Sequence, residues 1–433
     1  MARKLFISVL GDTDYGECYY TKASFKSCKV RFIQEATLAY ITKEEKWTNN
    51  DAALILLTKK AESSNWVDDG HKTKEGETKK QSGLYSRLQQ MNLPISITPL
   101  NNLPDGNNED EIWEVFQRTF DAIEEGDELY FDITHGFRYL PMLILVLGNY
   151  SKFLKNTEIK SITYGNYVSR NKLKEEAPII DLLPISYLQD WTTAAISFLD
   201  SGNVKRFSKL CSSQLKPILR DEAKLLGDTP ARTLRKFVNA LNTVVSEMYA
   251  CRSISILKSE NIAKLLDLSS QIEKTTIKPL NPILQKIKDS FKDFVPSPDI
   301  INGYAAAKWC FDKGLYQQSL TILHENIVSQ ICKQENLQVN SIEERDLVSY
   351  VFKIYYDNDC KYNENKDEKI NMIQRNVLFQ ALASSFRVTT NLRNDYNHSG
   401  MRSNPTAVSK ITNDLKERLE KVMAVLKAQG YVD

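Results

Sequence analysis

Two short stretches of the sequence combine residue types that could bind phosphate or transfer a proton. One is DITHGFR at residues 132–138, and the other is NLRNDYNHSG at residues 391–400. They lie in opposite halves of a chain of 433 residues. Each stretch also has a purely structural interpretation, so what it can do depends on the elements that position it.

The second stretch contains Arg393, a permanent cation, and His398, a candidate general acid or base. An arginine and a histidine suit metal-independent RNA cleavage, in which the ribose 2′-OH attacks the adjacent phosphorus and leaves a cyclic phosphate and a 5′-OH. His398 could transfer the proton, and Arg393 could stabilise charge on the phosphoryl oxygens. Asn394 and Asn397 could orient these groups. The alternative is a solvated helix end with no catalytic role.

The spacing of Arg393 and His398 imposes a further condition. On an ideal helix, five residues of about 100° each place the two side chains about 140° apart, on different faces. The His-Ser-Gly that follows is a helix terminator, so the last turn could be distorted or tightened. A symmetric dimer could also bring the two side chains from both copies into one cleft.

The first stretch lies where a predicted buried strand gives way to a helix. Ligands of open α/β sheets bind beyond the carboxyl ends of the strands, and a helix start offers unpaired backbone N–H groups to phosphate. Thr134 could cap the helix or donate its hydroxyl, and Gly136 allows a close backbone approach. His135 and Arg138 could donate hydrogen bonds to a phosphate or a base. Alternatively, Thr134 only caps, Gly136 only packs and His135 only bonds a local carbonyl.

A second polar loop, Gly11-Asp12-Thr13-Asp14-Tyr15, follows the first predicted strand. It should lie at the same edge of the sheet as DITHGFR. Neither loop has the glycine-rich fingerprint of dinucleotide binding or the pattern of a P-loop. Hydride transfer and NTP hydrolysis therefore lose support, and with them a Rossmann-type metabolic enzyme with a helical dimerisation domain.

The composition is that of an ordinary globular protein, with 42% hydrophobic and 26% charged residues. A net charge of +2 means that any basic surface must be local. The seven cysteines and four histidines do not cluster, so we expect no metal site, no disulfide framework and a cytoplasmic location. The apolar run LPMLILVLG is too short to span a bilayer, and the N-terminal apolar run is predicted to be a strand rather than a signal peptide.

The first 185 residues alternate between predicted strands and helices. The predicted strands are KLFISVL, KVRFIQ, AALILLT, ISITPL, ELYFDI and SITYGNY, and the helices include EIWEVFQRTFDAIEEG and one that opens at THGFR. This alternation predicts a parallel, Rossmann-like sheet. The lysine-rich segment at 68–83 is predicted to be a surface loop or a helix start, with a basic lip over a ligand as the alternative.

From about residue 186 the strand patterns fade and the chain is predicted to be helical. The proline-containing VPSPD at 295–299 marks a boundary between a helical linker region, 186–300, and a C-terminal helical domain, 301–433. In that domain, residues 371–398 are predicted to form one long helix. Asn404 and Pro405 are predicted to start a final helix that ends at Gly430.

Together, these stretches resemble the CARF–HEPN accessory ribonucleases of type III CRISPR systems. The resemblance is carried by FISVLGDTDY, DITHGFR and RNDYNHSG, with IIDLLPISYLQDWTTAAISFLDSGN at the junction and KGLYQQSLTILHENIVSQIC in the helical part. It implies α/β plus all-α architecture: a Rossmann-like CARF domain over 1–185, a helical intermediate region over 186–300 and an all-helical HEPN ribonuclease domain over 301–433. No role for the intermediate region is implied.

By that resemblance, the CARF domain binds a cyclic oligoadenylate, with cyclic tetra-adenylate expected and cyclic hexa-adenylate as the alternative. The loops Gly11–Asp14 and Thr134–Arg138 would hold this allosteric activator. The HEPN domain would cleave single-stranded RNA with little sequence discrimination and without a metal, through Arg393, Asn394 and His398. The resemblance also implies a homodimer or a higher assembly such as a hexamer, in which both sites straddle a two-fold axis.

The alternative function is a CARF-type ligand sensor, or an enzyme that cleaves the cyclic activator, without ribonuclease activity. His135 or Thr13 could assist such cleavage, although no residue requires it. A ring of four adenylates presents four phosphates with two-fold symmetry, which suits two helix starts from two protomers. To switch a distant site, the ring must bind one dimer arrangement better than another.

Overall fold

The computed structural model describes residues 2–136, 139–221, 229–272, 280–356 and 367–431. The chain divides into two compact units, Met1–Tyr187 and Leu188–Asp433. All of the described strands belong to the first unit, and the described elements of the second unit are helices. The finer division of the helical part at residue 300 stays a prediction.

The described residues of the first unit form one eight-stranded sheet. Its strands are β1 (Lys4–Val9), β2 (Cys18–Lys22), β3 (Phe25–Val30), β4 (Ala52–Thr58), β5 (Ser96–Leu103), β6 (Glu128–Asp132), β7 (Glu158–Gly165) and β8 (Glu176–Asp181). Their order across the sheet is β3-β2-β8-β7-β6-β1-β4-β5. The five strands from β7 to β5 are parallel, which is the Rossmann-like part.

The prediction of a parallel sheet is wrong for the other side, so the sheet is mixed. β8 pairs antiparallel with β7, and β2 pairs antiparallel with β3. The connections explain this difference, because parallel neighbours need a crossover of a dozen or more residues. Only two residues, Ala23 and Ser24, join β2 to β3, and the segment between β7 and β8 contains one short 3-10 turn rather than a crossover helix.

The predicted strand KVRFIQ is also partly wrong, because β3 ends at Val30 and a helix begins at Ile33. The side chain of Glu35 accepts a hydrogen bond from the backbone N–H of Phe32 at 3.0 Å. This bond satisfies a donor at the helix start, as in a capping box. The apolar run is therefore divided between a strand and a helix.

Helices cover both faces of the sheet. They are α1 (Ile33–Glu44), α2 (Lys59–Ala61), α3 (Leu84–Gln90), α4 (Glu109–Asp121) and α5 (Leu140–Leu154), and α6 (Leu183–Ser201) continues into the second unit. Alternate residues of β1 face opposite layers: Leu5 and Ile7 pack with α4 and α5, whereas Phe6 packs with α1 and α3. Because both faces are buried, the central strands are almost entirely apolar.

The second unit contains the remaining helices. They are α7 (Lys205–Asp221), α8 (Pro230–Tyr249), α9 (Ser253–Lys258), α10 (Glu260–Gln271), α11 (Asn281–Asp289), α12 (Ile301–Asp312), α13 (Tyr316–Gln334), α14 (Ile342–Tyr356), α15 (Asp367–Arg375), α16 (Val377–Asn397) and α17 (Val408–Ala428). The buried helix α13 packs against α12, α14 and α16. Among the described helices, none combines the length and hydropathy needed to cross a membrane.

Two predicted boundaries in this unit are wrong. The single helix predicted at 371–398 is broken at Asn376, whose side chain caps α16 by accepting a hydrogen bond from Phe379 N at 2.9 Å. The last helix begins at Val408 rather than at Pro405. The residue after that proline, Thr406, donates its backbone N–H to the Asp395 carboxylate at 2.7 Å, which ties the segment to α16.

Candidate functional site

A cavity of about 400 Å³ lies at the carboxyl edge of the parallel strands, and we call it the edge cavity. It is lined by the segments that follow β1, β4, β5 and β6. The chain adds β4 and β5 on one side of β1 and then returns to add β6 and β7 on the other. Ligands of open α/β sheets bind at such a switch point.

The two polar loops singled out in the sequence meet in the edge cavity. Six of the predicted ligand-binding residues line it: Gly11, Asp12, Thr13, Thr134, His135 and Gly136. Asp14 is not among the lining residues, because its carboxylate pairs with Arg31 at 3.2 Å and with Lys79. Arg138 lies outside the described residues. The role of these loops in ligand binding stays a prediction.

Thr134 does not cap the helix after β6, since α5 begins only at Leu140. Its hydroxyl instead donates to the Asp132 carboxylate and accepts the backbone N–H of Gly165 at 2.8 Å. The Ser8 hydroxyl donates to the other oxygen of Asp132 at 2.7 Å. Burial raises the pKa of Asp132 to about 6, although these hydrogen bonds oppose the rise. The loop is thus fixed to the strand end by a buried carboxyl group.

His135 stacks on Tyr15 at the wall of the edge cavity, with ring centroids 4.2 Å apart. Burial lowers the pKa of His135 to about 4, so its imidazole is neutral at neutral pH. A neutral imidazole can donate one hydrogen bond but supplies no positive charge. Tyr15 also occupies the space that a side chain at residue 11 would need, because a Cβ atom on Gly11 would lie 2.0 Å from the Tyr15 hydroxyl oxygen.

Among the described lining residues, Lys60 carries the positive charge and Asp12 and Asp105 carry negative charge. Lys60 forms an ion pair with Asp12, and the hydrogen bond from Lys60 lowers the pKa of Asp12. Attraction to phosphate therefore cannot come from these side chains alone. The start of α5 also borders the cavity through Tyr139, and backbone N–H groups at a helix start bind anions. The sequence analysis missed Lys60, because no motif marks it.

The buried side chain of Asn65 fixes the loop after β1. Its amide nitrogen donates to the carbonyl oxygens of Gly11 and Thr13 at 2.9 and 2.8 Å. Its amide oxygen accepts from Arg31 at 3.0 Å and lies 2.9 Å from Nε2 of His71. Sequence analysis missed Asn65, since 54 residues separate it from Gly11 and only the fold joins them.

The lysine-rich segment predicted at 68–83 is a loop up to its last residue, where α3 begins at Leu84. It contacts the loop after β1 directly at one point and through Asn65 at another. His71 contacts Asn65, and Lys79 pairs with Asp14. The segment therefore contributes to the order of the predicted ligand-binding loop from outside the edge cavity.

In the second unit, the structure does not bring the predicted catalytic residues together within one chain. Arg393 and Asn394 lie near the end of α16, and His398 is its C-cap. Arg393 is half-buried, whereas Asn394 and His398 are exposed. The His398 backbone N–H donates to the Asn394 carbonyl at 2.9 Å, so helical spacing persists to the end of α16. The irregular bonds of this helix end, from the backbone N–H groups of Ser399 to Tyr396 and of Gly400 to Asp395, come only after His398.

Two residues of α13 hold Arg393. Its Nη1 donates to Nδ1 of His324 and to Oε1 of Glu325, both at 2.9 Å. The other oxygen of Glu325 accepts from Nη2 of Arg345 at 2.6 Å. Burial would raise the pKa of Glu325, but the guanidinium of Arg345 favours the charged form and the pKa lies below its ordinary value. One charged carboxylate therefore joins guanidinium groups from α14 and α16.

His324 is buried and stacks on Phe386, with ring centroids 4.6 Å apart. Burial lowers the pKa of His324, so its ring is neutral at neutral pH. Its Nδ1 also lies 3.1 Å from Glu325 Oε1, but a nitrogen that accepts from Arg393 cannot donate to a carboxylate. We therefore assign the acceptor role to Nδ1. Sequence analysis counted His324 only among scattered histidines, because 69 residues separate it from Arg393.

A second cavity, of about 620 Å³, lies beside Arg393 and is bordered by α13, α14 and α16. We call it the helical cavity. His398 is not among its lining residues. Across the described ranges, no group of three or more His, Cys, Asp or Glu side chains is arranged to hold a metal ion.

Comparison with known proteins shows what the first unit is similar to. Residues 5–167 match the family model for the CARF domain of the CRISPR system endoribonuclease Csx1. CRISPR-associated protein MJ1674 of Methanocaldococcus jannaschii is 28% identical over 238 residues, which cover 54% of this chain and 34% of that protein. The chain thus spans about a third of the length of this curated relative.

These matches support a type III CRISPR protein that contains a CARF domain. The prediction of an N-terminal Rossmann-like CARF domain followed by a helical region is confirmed, with the correction that the sheet is mixed. The match to the family model ends at residue 167, before the helical unit begins. The HEPN assignment of residues 301–433 stays a prediction.

Proposed function

We propose that this chain is a metal-independent endoribonuclease of type III CRISPR defence that a cyclic oligoadenylate activates. The observation that carries the proposal is the match of residues 5–167 to a CARF domain whose family is described as an endoribonuclease. CARF domains bind cyclic oligoadenylates, and the edge cavity lies at the switch point where the matched fold would take a ligand. The helical unit would supply the ribonuclease.

The size of the edge cavity supports a ligand shared between two chains. A volume of about 400 Å³ is that of a site for one drug-sized molecule, and it is too small for four nucleotides. Each protomer would therefore hold part of the ring. An even-numbered ring such as cyclic tetra-adenylate, or cyclic hexa-adenylate as the alternative, matches a two-fold axis.

The surface of α5 supports the dimer. Met142, Val146, Tyr150 and Phe153 are each between 45% and 78% exposed. Their spacing of three and four residues places them on one face of the helix. α5 starts at the edge cavity, so a second copy that covers this face would bring two edge cavities close together.

The proposed ribonuclease site also needs two copies, because Arg393 and His398 do not face each other within one chain. In the proposed reaction, His398 accepts the proton of the ribose 2′-OH as the new O2′–P bond forms. The P–O5′ bond breaks, the leaving O5′ oxygen takes up the proton that His398 accepted, and the products are a cyclic phosphate and a 5′-OH. Arg393 stabilises the negative charge on the phosphoryl oxygens, and Asn394 orients the groups.

The test is to incubate the full chain with labelled single-stranded RNA, cyclic tetra- or hexa-adenylate, and EDTA. We expect cleavage that the activator stimulates and that His398→Ala reduces by about 10²- to 10⁴-fold while activator binding is retained. Intact RNA with every ring size tested would overturn the proposal.

One observation favours a second function, a ligand sensor or ring-cleaving enzyme without ribonuclease activity. Arg393 is held by Glu325 and His324, away from His398, in the described chain. The same incubation separates the two functions if the ring is followed by mass spectrometry. A sensor leaves the RNA unchanged, and the ring then either persists or is cleaved.

A further inference from the structure

We propose that the helical cavity is a subsite for a nucleoside phosphate, and that it holds one nucleotide of the RNA beside the cleaved bond. The inference rests on the proposed ribonuclease function and extends it to how the substrate is held. The cavity of about 620 Å³ is large enough for a single nucleotide. Its lining combines cations, an incompletely bonded guanidinium and an aromatic platform.

The first support is charge. The cations and carboxylates that line the helical cavity are Arg345, Lys353, Arg387 and Arg393 against Glu325 and Asp346. With His324 neutral, these side chains leave a net charge of +2. Glu325 bonds two of the guanidinium groups through one carboxylate, so the cavity keeps an excess of positive charge next to Arg393. Such a lining attracts phosphate.

The second support is the hydrogen bonding of Arg393. Its bonds to other described residues are made by Nη1. Its Nε is buried and has no hydrogen-bond partner in the described residues. A buried donor without an acceptor is unfavourable. The edge formed by Nε and Nη2 has the geometry that binds two oxygens of one phosphate, so a nucleotide would satisfy this donor.

The third support is a place for the base. The guanidinium of Arg387 lies over the ring of Tyr356, 4.9 Å from its centroid, and both residues line the helical cavity. Arg387 is exposed and Tyr356 is half-buried. Unpaired bases of RNA stack on aromatic rings and on guanidinium planes with little sequence preference. A base on this platform and a phosphate on Arg393 would together fix one nucleotide.

The experiment measures RNA binding separately from cleavage. The full chain carrying His398→Ala is titrated into a fluorescent single-stranded RNA, and anisotropy gives Kd at several salt concentrations. Arg387→Gln and Tyr356→Leu are then added to this background. Matched controls are Lys427→Gln and Tyr431→Leu, which change exposed residues that do not line the helical cavity.

We expect Tyr356→Leu to weaken RNA binding by about fivefold to a hundredfold, the range for loss of one stacked base. Arg387→Gln should weaken it by about fivefold and reduce the slope of log K against log salt by about 0.7. Arg387→Lys should keep the salt dependence of the parent but still weaken RNA binding, because lysine retains the charge but has no planar guanidinium on which a base can stack. The controls should stay within about twofold of the parent.

Equal RNA affinity in the Arg387, Tyr356 and control variants would overturn the subsite, and so would failure of the parent to bind RNA. If wild-type protein leaves RNA intact but binding still depends on Arg387, the ribonuclease proposal fails and the subsite stands.

Adenosine monophosphate is the probe for a free nucleotide. If it binds more tightly than RNA and RNA does not displace it, the assignment to RNA is wrong. Thermal melts identify variants that do not fold. If Arg387→Gln is one of them, the RNA affinity of Arg387→Lys decides whether the subsite stands.

Discussion

The edge cavity and the helical cavity use similar residues in opposite ways. Each has a neutral histidine stacked on an aromatic ring, His135 on Tyr15 and His324 on Phe386. Only His324 accepts a hydrogen bond from an arginine. In the edge cavity the described carboxylates outnumber the one cation, whereas guanidinium groups dominate the helical cavity. For the proposed phosphate binding, the edge cavity would therefore depend on backbone groups, whereas the helical cavity would use side-chain charge.

The largest expected effect concerns the proposed separation of RNA cleavage in the second unit from activator binding in the first. His398→Ala should reduce RNA cleavage by about 10²- to 10⁴-fold, the contribution of a general acid or base. Binding of cyclic tetra-adenylate should not change, because His398 belongs to the helical unit. Gel assays and isothermal titration measure the two quantities.

Met401→Ala is the control for this change, since that side chain is exposed and lies three residues beyond His398. It should leave both quantities unchanged. A loss of activator binding in His398→Ala, or less than a tenfold loss of cleavage, would contradict the proposed separation of sensing from catalysis.

The second prediction compares the ion pairs of the two cavities. Glu325→Gln leaves two guanidinium groups without their carboxylate, so we expect the free energy of unfolding to fall by about 3 kcal/mol. Asp12→Asn should change it by less than about 1 kcal/mol, because Lys60 is 74% exposed and surface pairs contribute little. Urea unfolding of the full chain measures both. Equal losses would show that the two networks are energetically alike.

This contrast also explains which parts of the protein could be predicted from sequence. The loops after β1 and β6 were found because each follows a buried strand directly, and parallel strands bring their carboxyl ends to one edge. Asn65, Lys60 and Glu325 were missed because no local pattern marks them. Their roles come from contacts across many residues, such as 68 between Glu325 and Arg393.

The boundaries that were wrong have a similar cause. Local propensity cannot show that Asn376 caps a new helix, because the same residue is tolerated within a helix. The mixed sheet was missed because β2 and β8, which form the antiparallel pairs with β3 and β7, are strands of five and six residues that no sequence pattern marked. The type and order of long helices and strands can be predicted from the periodicity of their apolar residues. Short strands at the edge of a sheet cannot, because they depend on pairing with distant parts of the chain.

The third prediction uses the opposite pKa shifts in the first unit. His135 has a folded pKa near 4, below its ordinary value, so its contribution to stability is present above about pH 6.5 and is lost as pH falls towards 4. Asp132 has a folded pKa near 6, above its ordinary value, so its protonation stabilises the fold over a similar range. The two effects should largely cancel between pH 6 and 4.

Substitution should reveal each effect. Between pH 6 and 4, Asp132→Asn should increase the loss of unfolding free energy by roughly 2 kcal/mol. His135→Phe should decrease that loss by a similar amount. Amide hydrogen exchange of β1 and β6 measures this in the full chain. His324→Asn is the control, because it lies in the other unit and should leave the exchange of these strands unchanged. Parallel pH profiles in all variants would contradict the assigned shifts.

The smallest expected effect tests the proposed binding of phosphate in the edge cavity. Asp12→Asn removes a carboxylate from the lining and frees Lys60 from its ion pair. Binding of cyclic tetra-adenylate should then tighten by up to about fivefold, the value of one exposed charge pair. The gain should shrink as salt rises, because exposed charges are screened. Lys80→Gln is the control, since its cation pairs with Asp69 outside the cavity. If Asp12→Asn weakens binding instead, the carboxylate contacts the ligand directly, and the edge cavity recognises a hydroxyl or base amino group there rather than a phosphate.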